Sequence, residues 1–286
     1  MAFRHLGFSK RKILIISVFI TAILIGGIVT YNGKIKVEAT SVKTALAVTQ
    51  KTPEPVTKAE IIQPNQPIQP APLKQTEQEI PPPFNQLVLA QISTYANGSY
   101  PYLLNTDYAH YNGVTTNLYY QGQLLLRADP AGSHASHCVG ITFEVFFRAM
   151  EAWNKEHGSA GDSIKGLSYD RLYDFVLKWY AAGPKTENNQ VIALKKYHLG
   201  KQITNFADAR PGDFIDFSRE NQTGHTVVLI NWIRDNDKIV GLRYWSSQAS
   251  THGIAYKTEY FNIRRSDGSE YGNIIEDSVL IGRAVP

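Results

Sequence analysis

The chain has 286 residues, of which 43% are hydrophobic and 19% are charged, so most of it can fold around an apolar core. Residues 1–83 hold ten of the 29 Lys and Arg residues and five of the 25 Asp and Glu residues, a balance of +5, whereas residues 84–286 hold nineteen and twenty, a balance of −1. Residues 84–286 therefore lack the excess of basic side chains that a nucleic-acid-binding domain usually carries, and no nucleic-acid partner is expected.

A long uncharged run lies near the start of the chain. Residues 13–31 contain no charged side chain and follow the segment 1–12, which holds four Lys and Arg residues. The run approaches the ~20 residues with which a helix crosses a bilayer, and basic residues before such a run stay on the cytoplasmic side. We therefore expect a cytoplasmic tail at 1–12 and a single-pass cell-membrane anchor at 13–31, with the rest of the chain extracytoplasmic.

The alternative is a signal sequence that is cleaved after the run, so that the protein is secreted. The apolar regions of such signals are usually only ~7–15 residues long and end at a small-residue cleavage site. This run has 19 residues, and the pattern Ala45-Leu46-Ala47 comes well after it. No cysteine follows the run directly, which excludes a bacterial lipoprotein anchor.

Residues 32–83 are expected to form a disordered linker. Nine of the fourteen prolines lie between Pro53 and Pro83, and Gln, Thr and Lys fill most of the intervals. This composition favours an extended, solvated chain over a packed core. The linker would hold one folded domain, residues 84–286, at a distance from the membrane.

The domain has the pattern of an α+β fold. Apolar residues recur at three- and four-residue spacing from Cys138 onward, which predicts a long helix that starts there. After Arg210 short apolar runs alternate with turn residues, which predicts strands, and helices followed by strands indicate helices packed on an antiparallel sheet. The predicted helices are 85–96, 138–157, 168–182 and 189–197, the predicted strands are 213–217, 226–234, 239–247, 253–260 and 279–284, and loops with short strands fill 97–130.

Cys138 is the single cysteine of the chain, so no intramolecular disulfide can form. A lone cysteine is often a small buried hydrophobe, but this one lies at a predicted helix start, where Ser136 is a suitable cap. The free N–H groups and the dipole at a helix start favour a thiolate, and the same N–H groups can bind the oxyanion of an acyl-transfer intermediate. Cys138 is therefore a candidate nucleophile. Gly140 weakens the helix, which suggests a close approach by backbone or substrate.

His225 is the histidine best placed to act as a base. It opens an apolar strand that is followed by the turn sequence Asp-Asn-Asp-Lys at 235–238 and by a second strand. A turn centred between residues 236 and 237 places His225 opposite Gln248, and directly opposite side chains lie about 5 Å apart on one face. The amide would then hold the imidazole in the tautomer that serves a thiol. A register slip of one residue would bring Ser247 or Ala249 there instead.

Three segments together resemble the NlpC-like superfamily of papain-like cysteine peptidases and amidases, many of which cut bacterial cell-wall peptides. His-Cys-Val-Gly at 137–140 resembles the family's nucleophile segment, which usually is Asp-Cys-Ser-Gly. Arg-Pro-Gly-Asp-Phe-Ile-Asp-Phe at 210–217 resembles its Pro-Gly-Asp strand, and Gly-His-Thr-Val-Val-Leu at 224–229 resembles its catalytic-histidine strand. Gln248 falls where the family carries a third polar residue. The resemblance covers roughly residues 84–286.

The resemblance implies a papain-like fold and a membrane-tethered, monomeric thiol hydrolase that cleaves amide bonds, with peptidoglycan stem peptides as substrate and without a cofactor. Cys138 would be the nucleophile, His225 the base, and Gln248 the group that orients His225. Trp245, His137 and Ser136 are expected to contact the substrate, since they lie beside these residues in sequence. Asp213 is expected to brace its strand rather than to react.

Three other functions remain open at this point. A zinc site would need the clustered His134, His137 and Cys138 together with His225 or His252, although their spacing matches no standard zinc motif; no metal is expected. A non-catalytic wall-binding domain on the same tether is a second alternative. An acyltransferase is a third, because hydrolysis and transfer share the thioester intermediate.

Overall fold

The structure is a computed structural model that describes residues 80–104, 107–182 and 187–286. The expected cytoplasmic tail, the anchor at 13–31 and the linker up to residue 79 lie outside the described residues. Within the described ranges, no helix has both the length and the apolar character needed to cross a membrane.

Four α-helices form in the described part of the chain, and the side chains before two of them act as caps. Ser168 and Asn189 cap α3 and α4 by accepting hydrogen bonds from the N–H groups of Arg171 and Ile192. α1 is shorter than predicted. The helix ends at Ile92, and the residues that follow form turns and do not continue the helix to residue 96. The helices are α1 (Pro83–Ile92), α2 (Cys138–Glu156), α3 (Tyr169–Trp179) and α4 (Gln190–Lys196).

Eight strands build two antiparallel sheets, which confirms the α+β class. β1 and β2 form a separate pair, and the six others form one sheet with the order β3-β8-β4-β5-β6-β7. The five predicted strands appear as β4 to β8, whereas β3 was not predicted. The strands are β1 (Leu118–Tyr120), β2 (Gln123–Leu126), β3 (Gly200–Ile203), β4 (Phe214–Ser218), β5 (Gly224–Asp235), β6 (Lys238–Gln248), β7 (Gly253–Tyr260) and β8 (Leu280–Ala284).

The large sheet is covered on both faces. On one face Phe214 and Val228 pack in the same apolar cluster as the helices. On the other face Ile215, Phe217 and Tyr244 pack with loop residues before β4 and after β7. Because successive strand residues point to opposite faces, the sheet separates two cores, and α2 lies on the first face.

The β5–β6 hairpin has the register that the turn predicts near its open end. Val228 pairs with Trp245 and Leu229 with Tyr244. Two bulges lie between these pairs and the turn: one extra residue, Ile230, in β5 and one extra residue in β6. The two insertions cancel, so continuation of the register beyond Val228 brings His225 opposite Gln248.

Candidate active site

Cys138 is the first residue of α2, and the segment before it is held by unusually close packing. The helix cap is His137 and not Ser136 as predicted: its imidazole Nδ1 accepts the N–H of Gly140 at 3.3 Å. The carbonyl oxygen of Gly113 lies where a side chain on Gly140 would begin, since a Cβ there would be 2.2 Å away. Gly140 therefore permits a close backbone approach, which is the first of the two explanations that its position suggested.

The backbone N–H groups of Thr226 and Val139 lie near the Cys138 sulfur, since both lower the pKa of its thiol. The carbonyl of Thr226 faces β6, because it accepts the Ser246 hydroxyl at 2.8 Å. The N–H of a strand residue points to the same side as its carbonyl, so the N–H of Thr226 also faces β6 and the sulfur lies near that side of β5.

A gap between β5 and β6 admits the start of α2. The paired residues of the two strands end at Val228 and Trp245. Beyond these residues, the Ser247 hydroxyl of β6 donates a hydrogen bond to the carbonyl oxygen of Ser136 at 3.1 Å. Here β6 therefore binds the segment before α2 and does not pair with β5. The segment that carries Cys138 is thus attached to both strands at the open end of the hairpin.

The sulfur is partly shielded from solvent, and this sets its ionisation. Burial raises the pKa of the Cys138 thiol above its usual range, and the N–H groups of Thr226 and Val139 lower it without reversing the effect. The thiol is therefore the resting form at neutral pH, and a base is needed to produce the nucleophile.

His225 and Gln248 are in direct contact, as the register predicts. The imidazole Nε2 lies 3.1 Å from the amide Oε1 of Gln248, and both side chains are buried. The rings of Phe217 and Tyr244 lie edge-on to the imidazole, at centroid distances of 5.7 and 5.5 Å. Burial lowers the pKa of His225 to about 4, the charge of Arg219 acts in the same direction, and the bond to Gln248 opposes them. His225 is thus a neutral imidazole at pH 7.

Cys138 and His225 approach each other from opposite sides of the sheet. Phe217 and Tyr244, which contact His225, belong to the core on the face away from α2. The sulfur belongs to α2 on the other face and lies near the backbone N–H of Thr226, the residue next to His225. Among the described residues no hydrogen bond joins the sulfur to His225, and none occupies Nδ1 of its ring. Catalytic hydrogen bonds in substrate-free sites are often long and tighten when substrate binds.

The three residues predicted to contact substrate are all buried in this structure. Ser136 and Trp245 are 0% exposed and His137 is 1% exposed. His137 lies inside because its ring caps α2 and packs against Gly113, where a Cβ would be 2.1 Å from the imidazole. Trp245 lies in the core with the helices, with its ring 5.5 Å from that of Tyr95.

Tyr102 and Tyr108 are among the tyrosines near the sulfur. Burial raises the pKa of Tyr102 and of Tyr108, and a charge on Cys138 raises both further, which shows that both phenols lie near the sulfur. Tyr108 is half exposed, and Tyr102 is partly exposed. Both belong to the tyrosine-rich segment that follows α1, where aromatic residues signal either a groove or ordinary packing, so the sequence alone does not single them out.

Asp213 braces the sheet, as expected. Its fully buried carboxylate accepts two hydrogen bonds from Arg283, at 2.8 and 2.7 Å. It also accepts the Asn85 amide at 2.8 Å and the N–H of Arg210 at 2.8 Å. These bonds join α1 and β8 to the start of β4.

No group of three or more His, Cys, Asp or Glu side chains in the described residues is arranged to hold a metal ion. The chain matches no known protein-family profile, no curated protein and no solved structure. A function can therefore be proposed only from the residues around Cys138.

Proposed function

We propose that the protein is a thiol hydrolase that cleaves amide bonds through Cys138, His225 and Gln248. The observation that supports this most directly is the position of the sulfur. It lies at the start of α2 near the N–H of Thr226, next to a histidine that is hydrogen-bonded to an amide. A structural cysteine would need neither the helix start nor the buried His225–Gln248 pair.

The mechanism begins from a neutral thiol and a neutral imidazole. His225 takes the Cys138 proton at Nδ1, and the thiolate attacks the amide carbonyl to form a carbon–sulfur bond. The N–H of Cys138 at the helix start stabilises the oxyanion. The imidazolium then protonates the leaving amine as the carbon–nitrogen bond breaks. Water, deprotonated by His225, hydrolyses the thioester and returns the thiol.

Proton transfer requires the sulfur and Nδ1 of His225 to come within hydrogen-bonding distance. The low pKa of His225, about 4, means that the base is already unprotonated when substrate arrives. The buried surroundings of both groups strengthen electrostatic interactions once water is excluded. The neighbouring Tyr102 and Tyr108 are available to line the substrate path.

The resemblance to NlpC-like enzymes extends this proposal to a papain-like fold and to peptidoglycan stem peptides as substrate. A membrane anchor at 13–31 and a linker at 32–83 would place the domain in the cell envelope, where that substrate lies. No cofactor is needed for the chemistry proposed.

The decisive experiment is incubation of the full chain with purified peptidoglycan, followed by mass analysis of the released fragments. Wild type should release peptides with new amino and carboxyl ends, and Cys138→Ala and His225→Ala should release none while they remain folded. His198→Ala, at an exposed histidine, is the matched control and should retain activity. A fully active Cys138→Ala protein contradicts the proposal. Retention on peptidoglycan without cleavage indicates a wall-binding domain, and fragments joined to an added amine indicate acyl transfer.

A further inference from the structure

The short turn after β6 brings a hydroxyl against the far side of Gln248. The amide Nε2 of Gln248 lies 2.6 Å from Thr251 Oγ1. The same Oγ1 lies 2.7 Å from the carbonyl oxygen of Gly253 and 3.3 Å from that of Gln248. Thr251 thus continues the chain of contacts that begins at His225.

The hydrogen atoms in this chain can be assigned by counting donors. A hydroxyl has one hydrogen to donate, and a carbonyl oxygen can only accept. The Thr251 hydroxyl therefore donates to the carbonyl of Gly253 or of Gln248, and towards the Gln248 side chain it can only accept. The amide must present its NH2 group to Thr251, so its carbonyl oxygen faces His225.

The orientation of the amide in turn decides the tautomer of the imidazole. Gln248 Oε1 can only accept, so the neutral ring of His225 must carry its hydrogen on Nε2. The lone pair is then on Nδ1, the nitrogen that has no hydrogen-bond partner among the described residues. If Gln248 were turned over, its NH2 group would meet Nε2 and favour hydrogen on Nδ1, where it would block proton transfer from a thiol.

We propose that Thr251 is a positioning residue that fixes the Gln248 amide and thereby holds His225 in the tautomer with a free Nδ1. The importance of that tautomer for catalysis rests on the proposed function. The assignment of the tautomer itself rests only on the hydrogen bonds of His225, Gln248 and Thr251.

The backbone around Thr251 is held in place from the other side. His252 has a left-handed conformation, with φ of 57°, and Gly253 has φ of 147°. A Cβ on Gly253 would lie 1.9 Å from the carbonyl oxygen of Tyr100. The N–H of Tyr102 donates to the carbonyl of His252 at 3.1 Å. The turn that orients the amide thus also positions Tyr102, which lies near the sulfur.

The tautomer can be measured without reference to activity, by NMR of the full chain labelled with 15N at histidine. The His225 signals are identified by their loss in His225→Gln. At pH 7 wild type should show a protonated Nε2 and an unprotonated Nδ1. In Thr251→Val, which keeps the shape and removes the hydroxyl, the two 15N shifts should move towards each other as both tautomers become populated. Thr251→Ser should restore the wild-type shifts.

Thr258→Val serves as the matched control, because Thr258 is an exposed threonine of the adjacent β7 and should leave the His225 shifts unchanged. The inference is overturned if wild type carries the hydrogen on Nδ1, or if Thr251→Val folds and leaves the shifts unaltered. The wild-type spectrum decides the tautomer even if the valine variant fails to fold.

Kinetics on the peptidoglycan substrate separate this inference from the proposed function. Thr251→Val should lower kcat about fivefold, the effect of about one neutral hydrogen bond, with KM unchanged, and Thr251→Ser should recover most of it. If the NMR shifts behave as expected but wild type does not cleave, the proposed function fails and the tautomer assignment stands. If wild type cleaves and Thr251→Val is equally active with altered shifts, the tautomer does not control catalysis and the role of Thr251 is refuted.

Discussion

The backbone N–H of Thr226 lies near the sulfur of Cys138, so the start of α2 reaches the centre of the large sheet. This approach is possible because β5 and β6 stop pairing at Val228 and Trp245, which leaves Thr226 without a paired residue in β6. The sulfur lies beside that open position, one residue from His225. The approach therefore accounts both for the position of the thiol and for its partial burial.

The ionisation of Cys138 should be visible in its rate of alkylation. Burial raises the pKa of the thiol and lowers that of His225 to about 4, so a thiolate–imidazolium pair is not the resting state. We expect the iodoacetamide rate to rise about tenfold per pH unit between pH 6 and 9, in proportion to the thiolate fraction. The chain has one cysteine, so the label reports on this site alone. A rate that is constant from pH 5 to 8 would instead show an ion pair.

Gly140→Ala should destabilise the protein although alanine favours helices. The added Cβ would lie 2.2 Å from the carbonyl oxygen of Gly113 and 2.4 Å from its carbonyl carbon, and backbone atoms cannot move aside cheaply. We expect a loss of about 1–3 kcal/mol in the free energy of unfolding, as for other overpacked sites. Urea unfolding of the full chain measures it.

Gly161→Ala is the matched control for that substitution. A Cβ on Gly161 meets no atom within 4 Å, so its free energy of unfolding should change by no more than about 0.5 kcal/mol. Equal effects of the two substitutions would show that the contact between Gly113 and Gly140 is not tight in solution.

The outline of the site could be predicted from sequence because it depends on local patterns. The apolar periodicity after Cys138 places the helix start, and the turn at 235–238 places Gln248 opposite His225. The second result is correct only because the β5 bulge at Ile230 is compensated by a bulge in β6. Hydrophobic alternation does not reveal either bulge, so one bulge alone would have made the register prediction wrong.

The errors share a cause, which is contact between residues far apart in sequence. Ser136 is the better cap by residue type, but its carbonyl and its neighbourhood are taken by Ser247 and the strands. His137 becomes the cap because Gly113 leaves room for its ring. Trp245 lies on the face of the sheet that packs against the helices, so its side chain is in their core. None of these contacts is encoded by spacing within one segment.

Asp213→Asn should be strongly destabilising. The Asp213 side chain is fully buried and that of Arg283 only 14% exposed, so the substitution leaves the guanidinium without its charge partner. Loss of one member of a buried pair typically costs about 3–5 kcal/mol in the free energy of unfolding. Asp174→Asn is the control, because the side chains of Asp174 and Lys196 are 43% and 49% exposed, and it should cost less than about 1 kcal/mol. Urea unfolding at pH 7 compares the two, and similar losses would contradict the bracing role.

Acid should destabilise the protein through the cap of α2. Burial lowers the pKa of His137 to about 4, whereas in the unfolded chain it is about 6.5. The lowered pKa contributes to the free energy of unfolding in full above pH 6.5. This contribution is lost as the pH falls towards 4, by about 1.4 kcal/mol per pH unit for each such histidine. Protonation of Nδ1 also removes the acceptor for the Gly140 N–H.

His137→Asn tests this directly, because asparagine can cap the helix through its side-chain oxygen and does not titrate. The free energy of unfolding in urea, measured from pH 7.5 to 4.5, should fall less steeply in the variant than in wild type. The two slopes should differ by about 1.4 kcal/mol per pH unit, which corresponds to one proton. The remaining slope should include His225, whose pKa is lowered to about 4 by the same burial. If the variant and wild type lose stability with equal slopes, folding does not lower the pKa of His137, and the cap of α2 through a buried Nδ1 is contradicted.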